Sequence, residues 1–170
     1  MKKIYLAGFD VFRPDAVEHG EYLKRLCEKF GFTGLYPLDN SAPPHLTGKA
    51  LARWICDANL QRIREADIVM ANLNAFRGHE PDSGTVFEVG YGVALGREVW
   101  VYTDETRSLV GQVGSHKTQE AGRQRIVDDQ GFIVEDFGLS LNLMIACTAN
   151  VVQGDAQTCL AQIAASTEAG

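Results

Sequence analysis

The chain has 170 residues, 45% of them hydrophobic, which suits one domain spanning residues 1–170 with a sizeable core. Its formal net charge is −6 and its basic residues are scattered, so phosphate backbones are repelled and nucleic-acid polymers are excluded as partners, while small ligands are not. No apolar run reaches the ~18 residues of a membrane span, and four cysteines without a C-x-x-C pair and four well-separated histidines point to free thiols in a reducing cytoplasm rather than a zinc site.

The first element is "KIYLAG" (3–8), β-branched and apolar up to Gly8. It reads as a buried strand, not a secretory leader. Residues 15–31 place Val17, Tyr22, Leu23, Leu26, Cys27 and Phe30 at helical spacing, closed by Gly31. "FTGLYPLDN" (32–40) is a short strand ended by Pro37, and "SAPPHLTG" a loop. Residues 49–67 form a long amphipathic helix, followed by the apolar strand "DIVMANL" (67–73). A glycine-rich helix (84–95) and the strand "EVWVYTD" (98–104) come next. Residues 104–135 are polar and glycine-punctuated and read as a long excursion. Residues 137–153 return to the core, and Asp155 starts a closing helix over 155–166.

Strands alternating with helices, and apolar on both faces, predict an α/β domain. Its parallel sheet is doubly wound (Rossmann/flavodoxin-like), with helices on both faces. Ligands bind such sheets at the carboxyl ends of the strands, where the loops Gly8–Pro14, Leu38–Gly48 and Asn74–Gly84 would meet. The first of these, "GFDVFRP", lacks G-x-G-x-x-G, so no dinucleotide cofactor is expected.

In "HEPDSGTVFEVGYGVALG" (79–96), Asp82 or Ser83 can cap the helix and Gly96 can close it. Glu88 shares a helix face with Gly84, Gly92 and Leu95, so it projects over open space between positions that let the backbone approach a neighbour. An unpaired carboxylate is costly to bury. Glu88 with Asp82 at the sheet's carboxyl end suggests cleavage at an acetal-like carbon. Asn59 interrupts the apolar row Leu51, Ile55, Ile63 on the preceding helix; it either bonds a nearby backbone group or reaches a ligand. Phe9, Phe12 and Trp54 can form an apolar wall, although core packing is the default for each.

These segments resemble the nucleoside 2-deoxyribosyltransferase family. The matching pieces are "KIYLAG", "YPLDN", "ANLQRIREADIVMANL", "FRGHEPDSGTVFEVGYGVALG" and "LSLNLM" (139–144), which span most of residues 3–144. The resemblance implies an enzyme that moves 2-deoxyribose between nucleobases, with side hydrolysis, using no cofactor and no metal. Glu88 matches the nucleophile, and Tyr5 the tyrosine that orients it. Asp82 and Asn142 match residues that hold the sugar's 5′ end, the asparagine coming from a neighbouring subunit, so a homo-oligomer with shared active sites is implied. Asn59 stands where many relatives carry an aspartate used in proton transfer. An amide cannot act as a general acid, so the proton donor is sought at Asp82, Asp39 or water. Gly8, Phe9, Phe12 and Asp39, on the converging loops, complete the expected substrate-binding set. The alternative is a 2′-deoxynucleoside 5′-phosphate N-glycosidase, a cousin with serines at the positions of Asp82 and Asn142. A nucleotide-binding module without turnover is the reading from another class.

Overall fold

Lys3–Gly8 is the expected first strand (β1), buried from Ile4 onward. The computed structural model describes residues 1–120 and 122–168. The chain continues through α1 (Ala16–Lys29), β2 (Thr33–Leu35), α2 (Gly48–Glu65), β3 (Ile68–Asn72), α3 (Ser83–Ala94) and β4 (Glu98–Thr103). After a short helix α4 (Leu109–Gln112) come β5 (Ser115–Glu120), β6 (Arg123–Asp128), α5 (Leu143–Ala146), β7 (Asn150–Gln153) and α6 (Ala156–Glu168). The main sheet is parallel throughout, in the order β2-β1-β3-β4-β7.

Strand residues alternate between two apolar layers. Ile4, Leu6, Ile68, Met70, Trp100 and Tyr102 pack on Leu23, Leu26 and Cys27 of α1 and on Cys159, Leu160 and Ile163 of α6. Tyr5, Ala7, Val69, Ala71, Val99 and Val101 face the other way, onto Ile63 of α2 and Val89 of α3. Burying each such aliphatic side chain contributes about 1.5–3 kcal/mol. The period-2 alternation therefore assigns Tyr5 to the face covered by α2 and α3. Gly92 brings α3 close to that face, because a Cβ there would lie 2.8 Å from Val69 Cγ2.

The structure departs from the sequence reading in three places. The second strand is only three residues long, and Pro37–Asp39 turn as a 3-10 helix. The polar excursion contains the antiparallel hairpin β5–β6, whose strands show little apolar alternation and bury Val127. Residues 137–153 split into the one-turn helix α5 and the edge strand β7, of which Val152 alone is buried. Asp155 starts α6 as expected, its Oδ1 accepting from the Thr158 backbone at 2.8 Å. Among the described residues no helix is long and apolar enough to cross a membrane.

Candidate active site

Tyr5 is fully buried in the middle of β1, yet its hydroxyl donates to Glu88 Oε1 at 2.6 Å. The bond joins residues 83 positions apart, and the close seat of α3 on the sheet makes it possible. Glu88 sits one turn before Gly92, so the same approach that seats the glycine on Val69 brings the carboxylate over β1. Burial pushes the Glu88 carboxyl up to about 7. The Tyr5 hydrogen bond opposes this shift and the nearby Asp82 charge adds to it. The Tyr5 hydroxyl is driven far above its usual range by burial, by the Glu88 charge and by its bond to Glu88, so it stays a neutral donor. Because Tyr5 holds Oε1, Oε2 remains without a protein partner among the described residues.

Asp82 caps α3: its Oδ2 accepts from both the Thr85 backbone and the Thr85 hydroxyl at 2.9 Å, leaving Oδ1 without a hydrogen-bond donor among the described residues. Asn59 lies on the inward side of α2 with a buried, unpartnered Oδ1. No neighbouring backbone group satisfies that oxygen, and a buried acceptor without a donor costs about 1–3 kcal/mol. One turn on, Arg62 donates through Nη2 to Asn40 Oδ1 at 2.6 Å, and its charge partly counters the upward shift at Tyr5. Asp39 is held by the Tyr36 backbone at 2.9 Å and by Lys24 Nζ at 2.7 Å, so both of its oxygens serve the turn after β2.

The two strand-end loops meet in an aromatic cluster. Phe9 and Phe12 both stack on Phe76, at 5.0 and 5.4 Å between ring centroids. Below it, Asp10 accepts from Asn72 Nδ2 at 2.9 Å and lies 3.1 Å from His19 Nε2, tying the end of β1 to the end of β3. Gly8 is required between them, since a Cβ there would sit 2.6 Å from Asp10 Oδ2 and 2.9 Å from Asn72 Cβ. Asn142 makes no hydrogen bond to Tyr5 or Glu88. It is exposed and caps α5 through Oδ1, while Nδ2 donates to Glu135 Oε1 at 2.8 Å. It lines a cavity of about 690 Å³ bordered by Pro81, Ser83 and Val86 but by neither Tyr5 nor Glu88.

Sequence reading passed over Arg62, Phe76, Asp10 and Asn72. Arg62 falls in a helix with many charges, and Asp10–Asn72 is a contact across 62 residues that no local spacing announces. Phe76 could have been found, as an aromatic in a loop already expected to face the ligand.

Comparison with known proteins bears on this arrangement. The family model for nucleoside 2-deoxyribosyltransferase matches residues 4–144. The structure resembles a 2-desoxiribosyltransferase from Leishmania mexicana at 33% identity, covering 97% of this chain and 98% of that one, with a TM-score of 0.77. A 2-deoxyribosyltransferase from Bacillus psychrosaccharolyticus shares the fold at 20% identity, covering 91% and 87% of the two chains, with a TM-score of 0.58. An uncharacterized protein of Schizosaccharomyces pombe is 28% identical over 155 residues, 83% of this chain and 74% of that protein.

Proposed function

The chain belongs to the nucleoside 2-deoxyribosyltransferase family, and from that premise we propose that it transfers 2-deoxyribose between nucleobases through a covalent sugar ester of Glu88. The observation that carries this reading is the 2.6 Å hydrogen bond from a neutral, buried Tyr5 hydroxyl to a carboxylate seated over β1. Glu88 Oε2 attacks C1′ of the deoxynucleoside from the face opposite the base. The C1′–N bond breaks, its electron pair leaves with the base, and the base takes up a proton. The transition state has oxocarbenium character, which a carboxylate under the ring stabilises. A second base then attacks C1′ and loses its N–H proton, the ester bond breaks, and Glu88 is regenerated with the original anomer restored. Water in place of the second base gives side hydrolysis.

Asn59, an amide, binds rather than protonates; its unpartnered Oδ1 is suited to accept a hydrogen bond from the substrate. Asp39 is engaged in its turn, and the charge by which Asp82 repels a phosphate leaves it no proton to give, so water supplies the proton to the leaving base. The Oδ1 of Asp82 suits a 5′-hydroxyl and repels a 5′-phosphate, by about 1 kcal/mol at 4 Å in water and several in a drier site. Incubating the protein with deoxyinosine or its 5′-monophosphate, each with adenine as acceptor, tests both points. Chromatography should show deoxyadenosine from the nucleoside and little turnover of the monophosphate. Faster cleavage of the monophosphate to free sugar phosphate would make the protein a 5′-phosphate N-glycosidase instead.

Asn142 lines a cavity that Glu88 does not border, together with the exposed Met144 and Ile133. Such a surface suits a second copy of the chain, into whose site Asn142 would reach. Mixing inactive Glu88→Ala with inactive Asn142→Ala should then restore part of the activity as subunits exchange, since some sites regain both residues. No recovery in mixtures shown to have exchanged subunits would place Asn142 and Glu88 in the same chain's site.

A further inference from the structure

The aromatic cluster at the ends of β1 and β3 contains a cation that the transfer chemistry leaves unused. Arg77 follows Phe76 in the loop that leads to Asp82 and α3. Its backbone has φ 55, the left-handed region that residues other than glycine and asparagine seldom occupy. The Phe76 backbone N–H donates to the Glu80 carbonyl at 3.0 Å and closes the loop in this shape. The guanidinium lies over the Phe76 ring at 4.6 Å and the Phe12 ring at 5.5 Å. It makes no hydrogen bond or ion pair with any described residue. In a chain with 22 acidic residues, this arginine is thus held on aromatic faces with its donors unassigned.

We propose that Arg77 selects the nucleobase, reading the adjacent N7 and O6 acceptors of a 6-oxopurine (hypoxanthine or guanine) laid beside it on the Phe12–Phe76 surface. This rests on the transfer reading for the identity of the ligand as a nucleobase. The placement follows from connectivity. Phe9 follows Gly8 directly, opening a 3-10 turn at the carboxyl end of β1, the strand whose Tyr5 meets Glu88. Phe76 stacks on Phe9, and Glu88 lies six residues along α3 from Asp82, about 9 Å of helix. A sugar over Glu88 would therefore extend its base toward the stacked rings. Phe12 is 57% exposed and offers that base a surface.

The chemistry of the edge follows from planarity. A purine laid parallel to these stacked rings, 12° apart, can turn its edge toward the guanidinium that lies over both of them. In-plane N–H donors from Arg can then bond N7 and O6 together, the pairing arginine makes with guanine in nucleic-acid recognition. Adenine offers N7 beside an N6 amino group, which faces the donors with donors. Pyrimidines lack the N7 acceptor. Selection for 6-oxopurines is the consequence, and the electrostatic hold on a ring face keeps the guanidinium in place before the base arrives.

The test is binding of free hypoxanthine and adenine by titration calorimetry, with the acceptor kcat/KM for each measured alongside. Wild type should bind hypoxanthine about tenfold or more tightly than adenine, the discrimination one bidentate pair supplies. Arg77→Asn, which tolerates the left-handed backbone, should lower that ratio about tenfold. Arg77→Lys should lower it comparably, because a point charge cannot make the paired in-plane bonds. Equal affinity of wild type for the two bases, an unchanged ratio in both variants, or no binding of either base at millimolar concentration overturns the proposal. Selective binding that Arg77→Asn removes, in a protein that turns over no deoxynucleoside, sustains the role of Arg77 and rejects the transfer reading.

Discussion

Glu88→Gln should fall in deoxyribosyl transfer and hydrolysis by about 10⁴-fold or more while becoming more stable at neutral pH. The loss follows because the amide cannot form or release the sugar ester, and no other described carboxylate shares the Tyr5 hydroxyl. The gain follows from linkage. Burial holds the Glu88 carboxyl at about 7 in the folded chain, against about 4.3 for an unperturbed glutamate. Between those values the folded state keeps a proton that the unfolded state has lost, so stability falls as pH rises through the window. The amide of the variant has no proton to lose. The two proteins should therefore melt alike at pH 4 and separate progressively up to pH 7–8. There the variant should be ahead by about 1–2 kcal/mol after allowance for the partial exposure of the carboxylate. Thermal melts across that pH range, beside activity assays of the same preparations, check both halves. A variant that melts lower than wild type at pH 8 would mean Glu88 is a structural partner of Tyr5 rather than a strained functional group.

That opposition between stability and chemistry is also what made Glu88 legible in the sequence. Local rules account for several neighbours on α3: Asp82 caps, Gly92 seats the helix, Val89 fills the core. Glu88 satisfies none of them, and a residue that breaks local consistency marks a functional site. The strands were legible for a related reason, since parallel strands buried on both faces read as continuous apolar runs. The β5–β6 hairpin was not, because its surface is largely polar and nothing in "SHKTQE" separates a solvated strand from a loop. The pairing of Tyr5 with Glu88 came from family resemblance alone, as 83 residues separate them and only the fold supplies the contact. Asn59 shows the limit from the other side. Its polarity in an apolar row was visible, but its unpartnered oxygen is a property of three-dimensional surroundings.

Tyr5→Phe should lower kcat/KM for deoxyinosine about 10- to 100-fold at pH 7 and move the pH dependence upward. In wild type the nucleophile must be ionised, so kcat/KM should rise with pH and level off above a midpoint near 7, the value to which burial raises Glu88 in the free protein. The Tyr5 hydroxyl donates to the charged form and so holds that midpoint below where burial and Asp82 would put it. Phenylalanine keeps the ring in the core but withdraws the donor, leaving a partly buried carboxylate with one charge-assisted hydrogen bond fewer, a loss of about 1.5–3 kcal/mol. Part of this loss is a shifted titration, which alkaline pH recovers. The remainder is a carboxylate no longer aimed by its Oε1, which alkaline pH does not recover. Profiles from pH 5.5 to 9.5 separate the two, since a shifted midpoint with a restored plateau reports charge tuning and a depressed plateau reports positioning. Asp82→Asn gives the opposite sign, because removing a negative charge near Glu88 should move the midpoint down. If Tyr5→Phe leaves the midpoint unmoved, the titrating group behind the acid limb is not Glu88.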